Sequence, residues 1–455
     1  MKIVLPVHHF PPHYNAGAEL YTFRLARWLR QHGHQSHVVT IESIKNGRSY
    51  TELQVIEDHY EGIPVSRLSF DIYKAPPDSA IAQVWEFNNP LLGAWFEEYF
   101  RREKPDLAHF QAGYLIGAAP LFAAAQAQIP VALTLHDYWF LCQRITLLKP
   151  SNEVCVHVPD HASGCAWCQA LGSRAARTAD KWTGGLAGKV VPQVAMRKVT
   201  QRLTNRHTVL AEALCIPRAV IAPSRFLASK FEKAVLPDRL LVSGYGLDLT
   251  PFQSAAQALD NGHGEHEQHD NVLRIGFIGQ VGPHKGVHLI VEAFKALRPN
   301  QIHSRKIELH IYGNMEQFPA YGQQIHESVQ GDDRITLHGR FDNKRVAEVL
   351  HSFDVSVVPS TWYENAPLAI LESRAAGTPV ITSRLGGMAE LVQHELDGLH
   401  FTPNDASDLA RVLQRLLDEP DLLPRLHKGT HLHVPRDIED EMAQVMKIYE
   451  SVLAT

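Results

Sequence analysis

The stretch Arg274-Ile275-Gly276-Phe277-Ile278-Gly279-Gln280-Val281-Gly282-Pro283-His284-Lys285-Gly286 decides the fold. Arg274 to Ile278 is a short apolar run with the make-up of a strand. Gly279, Gly282, Pro283 and Gly286 then turn the chain, and Val287 to Leu297 has the three-and-four spacing of an amphipathic helix. A strand that passes through a glycine-containing loop into a helix opens a βαβ unit, which must return to a parallel neighbour.

Outward from that unit the rhythm repeats. Strands are expected downstream at Glu308 to Tyr312, Ile335 to Leu337, Val355 to Val358 and Val380 to Thr382. Upstream, Lys2 to Val7 leads into a helix from about Gly17 to His32 and a strand at Ser36 to Thr40. Further strands fall at Leu107 to Phe110, Val131 to Leu135 and Val220 to Ala222. The chain therefore reads as α/β, with two Rossmann-like doubly wound domains. Residues 1–250 make the first, with a Cys-containing insertion at 142–168, and 272–430 the second. The polar, histidine-bearing stretch 251–271 reads as a linker. Within 431–455, Met442, Val445, Met446, Tyr449, Val452 and Leu453 give Asp437 to Leu453 one apolar helical face.

Composition removes several classes. Of 455 residues, 45% are hydrophobic and 20% charged, which excludes wholesale disorder, collagen and coiled coil. The net charge of −5 gives no chain-wide attraction to nucleic acid, and none is expected as a partner. Leu107 to Leu135 lacks Asp, Glu, Lys and Arg, but Pro120, Pro130 and three glutamines make it strand, buried helix and strand rather than a membrane span. The opening strand has no leader pattern, so a cytoplasmic location is expected, where thiols stay reduced.

Three strand-to-helix loops carry chemistry in the second half. In the first, glycine backbone N–H groups and the Lys285 charge suit a phosphate. In the second, Tyr363-Glu364-Asn365-Ala366-Pro367-Leu368-Ala369-Ile370-Leu371-Glu372, Pro367 suits the first helical position. The amides of Leu368 and Ala369 can meet a diphosphate while Glu364 and Glu372 accept hydroxyls on either side. The plainer reading makes the glycines a tight turn, Glu364 a favourable helix-end charge and Glu372 a surface residue. The third loop is Ser383-Arg384-Leu385-Gly386-Gly387-Met388-Ala389-Glu390. In the first half, Asn15-Ala16-Gly17-Ala18-Glu19 lies between strand and helix, and His136-Asp137 ends a strand. There His136 can donate to a sugar hydroxyl or serve as a structural histidine.

Taken together, Glu364-x7-Glu372, Lys285-Gly286, Gly386-Gly387, His136-Asp137 and Ala16-Gly17-Ala18-Glu19 resemble the retaining glycosyltransferases of family 4 over nearly the whole chain. The resemblance implies a GT-B fold: two Rossmann-like domains facing across a cleft, with the C-terminal helix returning to the first. It implies transfer from a UDP- or GDP-sugar to a saccharide or lipid-linked acceptor, as in polysaccharide or glycolipid synthesis, without a catalytic metal. By position, His136, Lys285 and Glu364 would be catalytic. Gly17, Gln280, Lys285, Glu364, Asn365, Leu368, Ala369, Glu372 and Gly387 would bind the donor. The family usually has Arg where this chain has Gln280 and Gly-Gly where it has Ala16-Gly17. Arg225 or Arg384 is a candidate for the missing charge. A sugar-nucleotide epimerase of similar fold and a non-catalytic sugar-nucleotide-binding scaffold subunit are the alternatives.

Cys142, Cys155, Cys165 and Cys168 are four of the chain's five cysteines and fall in one polar loop, with His157 and His161 nearby. A structural zinc, free thiols and a redox pair at Cys165-x2-Cys168 are the three readings. Residues 174–206 carry eight Lys or Arg against Asp180, interleaved with apolar residues. They read as a surface for anionic lipid headgroups at the inner face of the cell membrane or for a phosphorylated acceptor, or else as a solvated helix face.

Overall fold

The computed structural model describes residues 1–14, 16–44, 52–75, 79–159, 161–260, 272–298 and 305–454. Two compact units divide the chain, one formed by Met1–Ser243 with Met442–Thr455, the other by Gly244–Glu441.

The first unit is built on β1 (Lys2–Val7), β2 (Gln35–Ser43), β3 (Gln54–Tyr60), β4 (Ile63–Ser69), β5 (Leu107–Phe110), β6 (Val131–Thr134), β7 (Ala219–Ala222) and β8 (Leu240–Val242), in the order β3-β4-β2-β1-β5-β6-β7-β8. All pairs are parallel except β3 with β4, an antiparallel hairpin. Helix Gly17–Gln31 crosses from β1 to β2 and Ala119–Gln126 from β5 to β6. Helix Pro90–Glu103 starts cleanly because the Leu91 amide donates to the Asn89 carboxamide at 2.9 Å and Pro90 needs no amide partner. No described helix is long and apolar enough to cross a membrane.

The C-terminal helix Ile438–Ala454 belongs to this unit from Met442 onward. Buried His109 explains the attachment. Its Nδ1 shares a hydrogen with the Tyr449 hydroxyl at 2.7 Å, and its Nε2 lies 2.8 Å from the Thr134 hydroxyl. Burial pushes the His109 pKa down to about 3, so the imidazole is neutral in the folded protein. An unfolded chain binds a proton there below about pH 6.5, and the folded one does not, so stability falls as the pH drops from 6.5 toward 3, by up to about 1.4 kcal/mol per pH unit. Urea midpoints measured between pH 7.5 and 5.0 are expected to fall accordingly, and less steeply for His109→Gln. Identical pH slopes for the two proteins would contradict this assignment.

The second unit holds β9 (Val272–Ile278), β10 (Lys306–Tyr312), β11 (Ile335–Gly339), β12 (Val355–Val358), β13 (Val380–Ser383) and β14 (Gly398–Phe401), all parallel, in the order β11-β10-β9-β12-β13-β14. Strand order reverses between β9 and β12, and in such sheets the crevice at the carboxyl ends of the reversing strands is where ligands bind. Within this unit the entering and leaving segments pair. Leu247 N–H donates to the Arg436 carbonyl at 2.9 Å and Gly246 N–H to the Glu441 carboxylate at 2.7 Å. The first unit accordingly ends at Ser243 rather than 250. Helix Thr250–Asp260 occupies the first half of the stretch read as a linker, and 261–271 lie outside the described residues.

Candidate functional site

At the β9–β12 switch point, three loops are stitched together through their backbones. Gly286 has φ +73°, and a Cβ there would stand 2.0 Å from the Pro359 carbonyl oxygen, so the loop after β9 can lie against the end of β12 only as glycine. The Thr361 amide donates to the His284 carbonyl at 2.8 Å, and the Ser383 hydroxyl to the Ser360 carbonyl at 2.7 Å. The Gly387 amide donates to the Glu364 carbonyl at 2.8 Å, and a Cβ on Gly387 would fall 1.7 Å from the Asn365 carbonyl oxygen. The loops expected to share one sheet edge therefore form one rigid frame.

That frame brings Lys285 Nζ to 2.5 Å from Glu364 Oε1. The same oxygen accepts from the Ser360 hydroxyl and the Trp362 indole N–H, each at 2.8 Å. Burial pushes the Glu364 carboxyl up, but the Lys285 charge and hydrogen bonds from Lys285, Ser360 and Trp362 outweigh it and hold the group below the usual range. Glu364 is thus a buried carboxylate at neutral pH. Burial, with the Lys285 charge adding to it, lowers His284 to about 4, leaving it neutral between the Phe318 and Trp362 rings.

Helix Leu368–Ala375 begins beside this pair. Pro367, expected as its first residue, is instead its cap, in extended backbone with ψ 122°, and no side chain caps the first turn. The Leu368 and Ala369 amides precede the first possible intrahelical bonds and point out of the helix start. Asn365 is buried, Glu372 and Gln280 are half-buried, and Arg384 is exposed. The Gln280 carbonyl accepts from Gly282 N–H at 3.0 Å, which closes the loop.

In the first unit, His136 sits at the carboxyl end of β6 with Nε2 3.2 Å from the Gln111 carboxamide oxygen and its ring 5.0 Å from that of Tyr21. Burial, helped by the charges His8 and His109 would carry, lowers its pKa to about 3, so it acts as a neutral imidazole rather than a proton reservoir at pH 7. Burial raises the Asp137 pKa against the hydrogen bond it accepts from Trp139 N–H at 2.8 Å, a turn-capping role. Sequence reasoning missed His8 and Gln111, at the ends of β1 and β5. His8 Nε2 lies 3.2 Å from buried Glu19, whose outer oxygen and the His8 Nδ1 have no partner among the described residues. Two polar groups left after neighbouring strands were the available signal. Gly17 opens helix Gly17–Gln31, and a Cβ there would meet no described atom within 4 Å. Asn15 lies outside the described residues.

The cysteine stretch is not one polar loop. Cys165 and Cys168 ride on helix Ala162–Ala170, which packs on helix Arg197–Leu214 through Ala162, Ala166 and Leu203. All four cysteines line one cavity, with His207 at its wall. His157 and His161 are exposed and do not line it. Among the described residues no three His, Cys, Asp or Glu side chains already stand in metal-ligating geometry. In the basic stretch, Trp182, Leu186, Val190 and Val194 are exposed by 87, 62, 59 and 73%.

Residues 16–246, half of the chain, match the family model described as glycosyl transferase 4-like domain, and residues 260–431 match that described as glycosyl transferases group 1. The chain is 30% identical to the MMP alpha-(1->4)-mannosyltransferase of Mycolicibacterium hassiacum over 49% of its own length and 50% of that protein. It is 28% identical to the D-inositol 3-phosphate glycosyltransferase of Stackebrandtia nassauensis over 52% and 53%. It is 27% identical to the glycogen synthase of Mycobacterium tuberculosis over 36% and 38%. The chain thus spans about half or less of the curated relatives it matches. Among solved structures, sucrose-phosphate synthase from Thermosynechococcus elongatus superposes with TM-score 0.66 at 21% identity, covering 100% of this chain and 99% of that one. HepE from Anabaena, with UDP and glucose, gives 0.63 at 16% over 99% and 100%. These likenesses show the fold, the GT-B class expected from the resemblance.

Proposed function

This chain belongs to the glycosyl transferase 4-like family, and we propose from that premise that it moves a sugar from a UDP- or GDP-sugar to a saccharide or lipid-linked acceptor with retention of anomeric configuration. One observation carries the reading. A lysine, a buried carboxylate and uncapped helix amides converge at the switch point of the second sheet. Lys285 and the amides of Leu368 and Ala369 hold the diphosphate, Glu372 the ribose, and Glu364 with Asn365 the hydroxyls of the transferred sugar. Gln280 and Gly387 frame the phosphates from their loops. In the first unit, the open helix start at Gly17 and the neutral imidazole of His136 at the end of β6 are the groups that the family resemblance assigns to the donor.

In the reaction the anomeric C–O bond breaks and the nucleoside diphosphate leaves with the electron pair. The acceptor oxygen bonds to carbon on the same face, and its proton passes to the departing phosphate oxygen. The positive charge at Lys285 and the helix start meets the developing phosphate charge without a catalytic metal. A panel of nucleotide sugars tested by thermal shift and product analysis decides the matter, since a donor at one hundred times its Kd adds about 2.7 kcal/mol of stability. Transfer to an acceptor supports the proposal, epimerised sugar nucleotide replaces it with the epimerase, and binding without turnover replaces it with the scaffold subunit.

The exposed apolar residues of 182–194 favour a second element of the reading: this basic face rests on anionic lipid at the inner side of the cell membrane, next to a lipid-linked acceptor. Trp182→Ala combined with Leu186→Ala is expected to weaken cosedimentation with phosphatidylglycerol-containing vesicles by about tenfold or more, because each large apolar side chain contributes up to about 1.5–3 kcal/mol when fully buried and even half-burial of the two exceeds the about 1.4 kcal/mol of a tenfold change. Equal recovery of wild type with neutral and anionic vesicles removes the membrane role.

A further inference from the structure

We propose that Cys142, Cys155, Cys165 and Cys168 bind one structural zinc ion inside the first unit, a site separate from the donor loops and independent of their assignment. The four residues come from two different kinds of backbone. Cys142 and Cys155 flank a short antiparallel turn closed by the Leu148–Val154 bridge, and the amides of Cys142 and Cys155 are fixed on the Tyr138 and Leu147 carbonyls at 2.7 and 2.6 Å. Cys165 and Cys168, three apart on helix Ala162–Ala170, lie on one helical face. The fold nonetheless aims all four at a single cavity of about 80 Å³, whose other walls include Leu141, Leu147, Val158 and Leu203. The fifth cysteine, Cys215, is exposed and stands outside this cavity.

The chemistry of that cavity selects the ligand. Sulfur donors with few oxygens suit a soft or borderline cation and disfavour calcium and magnesium, and four thiolates in a tetrahedron are a structural zinc set. A redox pair at Cys165 and Cys168 would use two of the four and leave the convergence of Cys142 and Cys155 without a purpose.

Charge supplies a second, independent argument. Zinc with four thiolates carries a net charge of −2, which a mostly apolar cavity tolerates only with cations around it. Arg206, only 5% exposed, forms no ion pair with a carboxylate among the described residues. It lies over the Trp139 ring, donates to the Trp139 carbonyl, and interacts electrostatically with Cys142 and Cys165 first and then with Glu86 and Asp137. Its other terminal nitrogen has no hydrogen-bond partner among the described residues. Lys149 and Lys230 act on Cys155, and Arg144 and Lys149 on Cys168, while Lys230 Nζ is tied to the Val156 carbonyl at 3.0 Å. A buried guanidinium beside thiols has its counter-charge once those thiols ionise on the metal.

Zinc binding draws the side chains inward from their present positions. Each thiol gives up its proton, including the Cys155 S–H that now donates to the His157 carbonyl at 3.2 Å. The ion then crosslinks the turn to the helix and fixes the segment that connects β6 to the basic helices.

The test uses the full chain expressed in zinc-supplemented medium. Elemental analysis is expected to find one zinc per chain, and a thiol reagent to titrate Cys215 alone until a chelator exposes the other four. Cobalt(II) added to zinc-depleted protein is expected to give the intense absorption of tetrahedral thiolate coordination. Cys165→Ser and Cys142→Ser lose the metal, and Cys215→Ser keeps it. If the first two fail to fold, wild-type metal content and thiol count decide alone. Metal-free protein with all five thiols reactive, or a disulfide among the four found by mass spectrometry, overturns the site.

Discussion

Lys285→Ala lowers kcat/KM for sugar transfer by about 10²-fold or more, the loss expected when one preorganised charge is removed from a leaving group. Lys285 is held by Gly286, whose backbone packs on Pro359, and its side chain, about three-quarters buried, has Glu364 as its counter-ion. A cation so placed needs no reorganisation as the phosphate charge grows, and in a partly desolvated site that charge counts for more than in water. Free-enzyme stability falls too, because Glu364 is left buried with only the Ser360 and Trp362 donors. The drop stays below the about 3–5 kcal/mol of a fully buried pair, since Lys285 is partly exposed and Glu364 can take up a proton. Thermal melting separates that cost from catalysis: a folded variant with the rate loss is expected. Gln280→Arg, which restores the charge the family usually has in this loop, is expected to raise kcat/KM. A folded Lys285→Ala enzyme with full activity would show that another group neutralises the diphosphate.

The parts of this molecule that were legible in sequence are those whose cause is local. The strands at Lys2–Val7, Leu107–Phe110, Val355–Val358 and Val380–Ser383 are short, mostly apolar runs because parallel strands are covered on both faces. The loops after β9 and β13 announced themselves by glycines at strand-to-helix junctions, and the loop after β12 by Pro367 at a helix start between Glu364 and Glu372. The β3–β4 hairpin did not, because its buried charge is balanced at a distance: Arg67 in β4 pairs with Asp58 on β3 and Glu42 on β2, so a core position looks like a surface one. Strands β8 and β14 have three and four residues, too short to show a period. Helix Ala162–Ala170 was hidden because Ser163, Gly164 and two cysteines blur its apolar face, which forms only against Leu203, far along the chain. His8 and Gln111 were missed for the same reason, since only sheet order places the ends of β1, β5 and β6 side by side.

Glu364→Gln separates sugar positioning from nucleotide binding. One carboxylate oxygen gathers Lys285 Nζ, the Ser360 hydroxyl and the Trp362 indole N–H, so Glu364 is an orienting post and the counter-ion of the lysine proposed to bind the phosphates. The carboxamide introduced by this change keeps the shape and an acceptor for Ser360 and Trp362, which preserves the loop. It removes the negative charge that would compete with a bound diphosphate for Lys285. Nucleoside diphosphate binding, measured calorimetrically with UDP and GDP, is therefore expected to hold or tighten. Turnover is expected to fall by about 10²-fold, because the sugar hydroxyls lose a charged acceptor and the anomeric carbon is no longer held in register with its attacker. Glu372→Gln gives the reverse pattern, since its carboxylate would meet the ribose: weaker nucleotide binding with a smaller change in kcat. Parallel losses of nucleotide affinity and turnover in Glu364→Gln would place Glu364 with the phosphates or the frame. An unchanged kcat would remove it from the sugar site, and in that case the Lys285–Glu364 pair would be a structural tie between the loops after β9 and β12.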